Sequence, residues 1–196
     1  MKIYFCDAVG ELCAAWAKLL SACSLPAEFE ILHCDITSLK VGAVVSPANS
    51  FGFMDGGVDL AYSHAFGWGV QERLQELIRK RPHGELLVGE ALAVETENPD
   101  IPWLISAPTM RTPRRIVDIE AVFLAARAAV VEAGKIGVSS LAFPGMGTGA
   151  GAVPPEPAAR LMISGVREGL AGRAFPKSLR EMFALREELL AGFSLY

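Results

Sequence analysis

Two stretches of the sequence combine residue types that could cradle an anion with residue types that could move a proton. The first runs Ala43-Val44-Val45-Ser46-Pro47-Ala48-Asn49-Ser50-Phe51-Gly52-Phe53-Met54-Asp55-Gly56-Gly57-Val58-Asp59. The second runs Leu141-Ala142-Phe143-Pro144-Gly145-Met146-Gly147-Thr148-Gly149-Ala150-Gly151. Each reads as a strand, a glycine-rich loop and the start of a helix. In an open α/β sheet, ligands bind beyond the carboxyl ends of strands, where loop N–H groups can turn toward a phosphate. Glycine reaches positive φ without steric cost and lets an anion approach the backbone, while a following helix adds partial positive charge. Asp59 is a carboxylate able to act as a general base. By residue type alone, an aspartate near a helix start more often caps that helix. Asp35 also has two readings, as a ligand contact or as a turn residue holding its own loop.

A single glycine cluster marks an ordinary turn more often than a ligand loop, so the pairing of two such loops carries the argument. Neither matches G-x-x-x-x-G-K-[ST], and no lysine follows either glycine run, which disfavours a P-loop nucleotidase. The first glycine-rich turn follows the third strand and lacks G-x-G-x-x-G, which disfavours a dinucleotide-type site.

The elements that must position these loops can be read from hydrophobic spacing. Ile3 to Cys6 is a strand, Leu12, Trp16, Leu19, Leu20 and Cys23 mark a helix, and Phe29, Ile31 and Leu32 mark a second strand. Gly42 to Val45 is a strand buried on both faces. From Val58 a helical pattern is interrupted by Gly67 and Gly69, which predicts two short helices, the second ending near Arg81-Pro82. Leu86 to Val94 and Trp103 to Ala107 read as further strands. A helix starting near Asp118 carries Ile119, Val122, Phe123, Ala126 and Val130, with Gly134 and Gly137 as terminators. Ser140 to Phe143 is the last strand, and a proline-led helix continues from Ala158 to Gly169. A final helix carries Leu179, Met182, Phe183, Leu189 and Leu190. This alternation predicts a three-layer α/β/α sandwich around a mixed, largely parallel sheet, a single domain spanning residues 1–196.

Composition narrows the function classes. With 52% hydrophobic residues in 196, the chain can bury a sizeable core. Its formal net charge of -4 argues against nucleic acid as a partner, although a small phosphorylated ligand can be held by backbone N–H groups alone. Cys6, Cys13, Cys23 and Cys34 lack metal-ligand spacing, so no metal is expected. Without a signal-like or membrane-spanning stretch, the sequence reads as a soluble, cytoplasmic protein with no membrane association.

At the two loops the sequence resembles the macrodomain family, and the resemblance covers nearly the whole chain. Cys34-Asp35-Ile36-Thr37 looks like the family's Gly-Asp-Ile-Thr, Ser46-Pro47-Ala48-Asn49 like its Asn-Ala-Ala-Asn, and Gly56-Gly57-Val58-Asp59 like its first phosphate loop. Phe143 to Pro154 resembles its second. The resemblance implies that ADP-ribose or a derivative binds between the loops, or that an ADP-ribosylated substrate is the partner. It places Asp35 at adenine, Asn49 at the distal ribose, and Gly56, Gly57 and Val58 with Gly145, Gly147, Thr148, Gly149, Ala150 and Gly151 around diphosphate and distal ribose, with Ile36 and Phe53 as further ligand contacts. Asn49 and Asp59 become the catalytic candidates, Asp59 activating water for attack at the anomeric carbon, with no cofactor required.

Departures from the family pattern keep a non-catalytic alternative open. Where hydrolytic members often have a histidine four positions after the loop aspartate, this chain has Ser63, with His64 on a different helical face. Gly151 stands where many members place an aromatic residue. Phe51, Phe53 and Met54 have equal readings as a lid or as anchors of their loop. Arg111, Arg114 and Arg115 read more readily as a solvated loop than as a phosphate site. The implied functions are therefore an ADP-ribosyl hydrolase or O-acyl-ADP-ribose deacetylase, or a reader of ADP-ribose.

Overall fold

The computed structural model describes residues 1–190, with the backbone alone at Leu190; residues 191–196 lie outside the described residues. Six strands, β1 (Lys2–Asp7), β2 (Phe29–His33), β3 (Ala43–Ser46), β4 (Leu92–Glu95), β5 (Trp103–Ser106) and β6 (Ser140–Phe143), form one sheet in the order β2-β1-β6-β3-β5-β4. All neighbours are parallel except β4, which runs against β5. The mixed, largely parallel sheet expected from the alternating pattern is therefore present, with helices covering both faces.

Helices α1 (Gly10–Ser21), α4 (Glu120–Lys135) and α5 (Pro155–Ala171) pack on one face, with Ile3, Phe5, Val45, Ile105, Leu141 and Phe143 pointing toward them. Helices α2 (Gly57–Phe66) and α3 (Gly69–Arg79) cover the other, against Cys6, Val44, Leu104 and Ala142. This division follows the period-2 alternation of side chains along each strand, and it explains why all four residues of β3 are buried. Phe5 lies against both Trp16 and Phe143, tying α1 to the sheet centre. At Gly165 a Cβ would run into the Phe123 carbonyl, so α5 approaches α4 as closely as backbone allows. Gly67 has φ +78 and ends α2, which is the physical reason for two helices where the pattern showed an interrupted one.

One expectation is corrected. The strand read over Leu86 to Val94 is confined to Leu92–Glu95. Leu86 is wholly buried from a loop, its N–H bound to the Ser50 carbonyl, so its apolar character reflects anchoring of the first glycine-rich loop. The expected final helix is present as α6 (Leu179–Leu190), with Leu179, Met182 and Phe183 exposed and Leu189 buried. Among the described residues, no helix is long and apolar enough to cross a membrane.

Candidate functional site

The carboxyl ends of β1, β2, β3, β5 and β6 open onto a single cleft of about 630 Å³, a size typical of small-molecule sites. One wall is the segment after β3: Asn49 and Phe53, then Gly56, Gly57, Val58 and Asp59 at the start of α2. The opposite wall is the loop after β6, with Gly145, Gly147, Thr148, Gly149, Ala150 and Gly151. Asp35 and Ile36, just beyond β2, line one end, and Thr109, Met110 and Pro113, beyond β5, line another. All the residues singled out as ligand contacts thus share one cavity.

The glycines of the two walls fall into physically distinct groups. Gly147 has φ +75, and a Cβ on Gly145 would clash with Leu12, Thr148 and Asp7, so these glycines are demanded by the fold. Gly56 and Gly149 are different. Neither has positive φ, and a Cβ on either would meet nothing within 4 Å, so no neighbour in the protein requires glycine there. Both face open space at the cleft, where bare backbone suits the close approach of a ligand.

Unpartnered donors belong to the same two walls. The N–H groups from Met146 to Gly151 make no hydrogen bond to another described residue, and those of Gly57, Val58 and Asp59 belong to the first turn of α2, which has no intrahelical acceptor. Among the described residues, no Lys, Arg or His lines the cleft. Whatever anion enters is held by backbone dipoles and by the α2 N-terminus rather than by side-chain charge.

Asp59 sits in the first turn of α2, 7% exposed, and does not cap it. Its Oδ1 instead accepts a hydrogen bond from Ser46 Oγ at 2.5 Å. Burial pushes its carboxyl up to about 7; the Ser46 hydroxyl opposes that rise and the nearby Asp55 charge adds to it. Two contacts hold α2 in place around it: Tyr62 donates its hydroxyl to the Val45 carbonyl at 3.0 Å, and Ser63 donates to the Met54 carbonyl at 2.8 Å. The Ser63 hydroxyl is thus a structural tie, and His64 is exposed.

Asn49 is held by its own loop. Its Oδ1 accepts from the N–H groups of Phe51 and Phe53 at 3.1 and 3.3 Å, and its Nδ2 donates to the Phe53 carbonyl at 2.8 Å. In this arrangement the side chain shapes the loop and presents only part of its amide to the cleft. Asp35 likewise uses one oxygen locally, Oδ1 accepting from the Thr37 N–H and hydroxyl at 2.9 and 2.8 Å, and its Oδ2 takes no bond from a described residue. The two readings of Asp35 are compatible, because the turn consumes one oxygen and leaves the other.

The lid-or-anchor alternative divides by residue. Met54 is wholly buried and its N–H is bound to Gln71, so it anchors the loop. Phe51 lies under the Arg111 guanidinium, while Phe53, 54% exposed, lines the cleft mouth. Arg111 is paired with Glu85, and Arg114 and Arg115 are exposed without an ion pair to any described residue.

Sequence reasoning missed three cleft residues. Asp7, at the end of β1, accepts from Gly145 N–H through Oδ2 and from Val9 N–H through Oδ1, both at 2.8 Å, and so ties the second loop to the sheet. Cys6 and Cys34 touch at the cleft floor with sulfurs 3.4 Å apart, and burial pushes the Cys6 thiol up to about 12, which makes it an inert packing group. No local signal marks these roles; each depends on which strand ends adjoin. Asp7→Ala is expected to cost about 1–3 kcal/mol in urea unfolding by stranding the Gly145 donor, with Asp7→Asn recovering much of the loss. Equal losses for the two variants would remove the role assigned to that hydrogen bond. Among the described residues, no group of three or more His, Cys, Asp or Glu side chains is arranged to hold a metal ion.

Comparison with known proteins agrees with this geometry. The sequence model described as Macro domain matches residues 45–162. An uncharacterised protein of Aquifex aeolicus is 36% identical over 141 residues, covering 72% of this chain and 82% of that protein. The Oceanobacillus iheyensis macrodomain solved with ADP superposes with a TM-score of 0.62 at 24% identity, over 80% of this chain and 86% of that one. A variant of the same macrodomain solved with ADPR gives a TM-score of 0.60 at 24% identity, over 80% and 88%.

Proposed function

Because the chain belongs to the Macro domain family, we propose that its cleft binds ADP-ribose or a close derivative and hydrolyses a bond at the distal ribose. The carrying observation is the pairing of two walls of unpartnered backbone N–H groups with a buried carboxylate, Asp59, in one of them. The N–H groups suit a diphosphate. Asp35, at the far end of the cleft, has a free oxygen suited to an adenine amino group, and Asn49 and Phe53 suit the ribose next to Asp59. The bond broken would be the link to a modified side chain or the acyl ester of O-acyl-ADP-ribose. Water activated by Asp59 accounts for either reaction without a metal or redox cofactor.

The competing reading is a non-catalytic reader of ADP-ribose, favoured by Ser63, whose hydroxyl is committed to Met54. Calorimetric titration with ADP-ribose, alongside AMP and NAD, tests the ligand. Saturable heat with ADP-ribose, weakened in Asn49→Ala, is expected; its absence would overturn the binding proposal. Incubation with O-acyl-ADP-ribose and with ADP-ribosylated protein then separates hydrolase from reader. Turnover by the wild type that is lost in Asp59→Ala supports the hydrolase, whereas binding without turnover selects the reader.

A further inference from the structure

We infer that Ser46 is a positioning residue for Asp59: its hydroxyl pins one carboxylate oxygen against the sheet and favours the ionised form of the group. This rests on the hydrolase reading for its consequence in catalysis, but its physical content can be measured without turnover.

Ser46 is the last residue of β3, at the sheet centre, and is wholly buried. Its Oγ lies 2.5 Å from Asp59 Oδ1, and no other described residue donates to that carboxylate. A hydrogen bond to the ionised form favours it, whereas burial favours the neutral acid. The other ionisable groups around Asp59 all work against the charge or are neutral. Asp55 from the preceding loop is acidic, as are Asp7 and Asp35 at the ends of β1 and β2, and Tyr62 on α2 spends its hydroxyl proton on Val45. Among the described residues no Lys, Arg or His lines the cleft, and the Ser46 hydroxyl is the group that opposes burial.

A second observation marks the same spot. Ser46 is in register with Ser106 on β5, and the two side chains share the α2 face of the sheet, one strand spacing of about 4.8 Å apart. Ser106 is wholly buried, and its Oγ is the buried hydroxyl without a hydrogen-bond partner among the described residues. The same face is otherwise lined by Cys6, Val44, Leu104 and Ala142. A core selected for packing alone would carry apolar residues at both positions, since an unsatisfied hydroxyl is a cost. Two hydroxyls thus stand on adjacent strand ends in an otherwise apolar layer, and one of them is spent on the buried carboxylate. Ser46 donates its hydrogen bond to Asp59, whereas the Ser106 hydroxyl bonds to no described residue.

The test follows the Asp59 carboxyl carbon by NMR through a pH titration of wild type, Ser46→Ala, Ser46→Thr and Ser106→Ala, with pH–rate profiles on O-acyl-ADP-ribose in parallel. In Ser46→Ala the midpoint should rise by about one pH unit, so that ionised Asp59 at pH 6 falls roughly tenfold and the rate with it, while the rate near pH 9 recovers to within a few-fold. Ser46→Thr, which keeps the hydroxyl, should titrate like the wild type, and Ser106→Ala should shift less than Ser46→Ala. Should Ser46→Ala fail to fold, Ser46→Cys keeps the shape with a weaker donor and should shift in the same direction. An unmoved midpoint in the alanine or cysteine variant, or equal shifts in alanine and threonine variants, overturns the inference. A wild type that titrates as described but turns nothing over leaves Ser46 assigned and refutes only the hydrolase reading.

Discussion

Asp59→Asn is expected to make the protein more stable above neutral pH while abolishing hydrolysis. The sign follows from the direction of the shift. The Asp59 carboxyl is raised from 3.8 to about 7 by burial, so the folded state holds this proton more tightly than the unfolded chain. Its contribution to stability is complete below about pH 4 and is lost as pH rises toward 7, where the folded protein must carry a buried charge. At about 1.4 kcal/mol per pH unit, the loss amounts to about 4 kcal/mol as an order of magnitude. Asparagine has nearly the same shape, accepts the Ser46 hydrogen bond and never ionises. The stability difference between variant and wild type, from urea unfolding at pH 4, 5.5 and 8, should therefore be near zero at the lowest pH and several kcal/mol in favour of the variant at the highest. A difference independent of pH would show that the carboxyl is not titrating in this window. The same titration predicts hydrolysis that climbs with pH through about 7 and then levels, because the ionised form is the base. An enzyme would thus retain at this position a group that weakens its fold.

Gly149→Glu and Gly56→Glu are expected to abolish ADP-ribose binding with little change in stability. A side chain at either position meets no protein atom within 4 Å of its Cβ and requires no unusual backbone, so unfolding free energies should stay within about 0.5 kcal/mol of wild type. A carboxylate placed where the diphosphate should lie adds repulsion and blocks the N–H groups. Affinity should fall at least about 100-fold, equivalent to about 2.7 kcal/mol. Gly151→Ala is the contrast: its Cβ would strike the Gly147 carbonyl, so this variant should lose stability as well as binding. Unchanged ADP-ribose affinity in both glutamate variants would move the ligand away from the loops altogether.

The paired behaviour of these glycines shows how far the sequence could be read. Glycine clusters announced both loops, but they did not separate Gly145 and Gly147, which the fold needs, from Gly56 and Gly149, which it does not. Similarly, the family resemblance marked Asn49 and Asp59 as site residues. It did not show that the Asn49 amide is engaged by Phe51 and Phe53, nor that Asp59 has left the capping role common at its position.

The order and type of most elements were determined by the sequence itself, as was the placing of the two loops after strands. Strand and helix periodicities are repeated local signals, and breakers such as Gly67 and the prolines before α5 act through their own backbone. The exception, Leu86, misled because an apolar residue anchoring a loop from outside looks the same in one dimension as a strand residue. Only the tertiary structure decided the partners. Asp7 reaches Gly145 across 138 residues, Ser46 reaches Asp59 across 13, and Ser46 meets Ser106 from a neighbouring strand. The first and last of these follow from the strand order β2-β1-β6-β3-β5-β4, and the second from the packing of α2 on β3. Strand order is settled by packing of the whole chain, and so the proton chemistry of the cleft is settled with it.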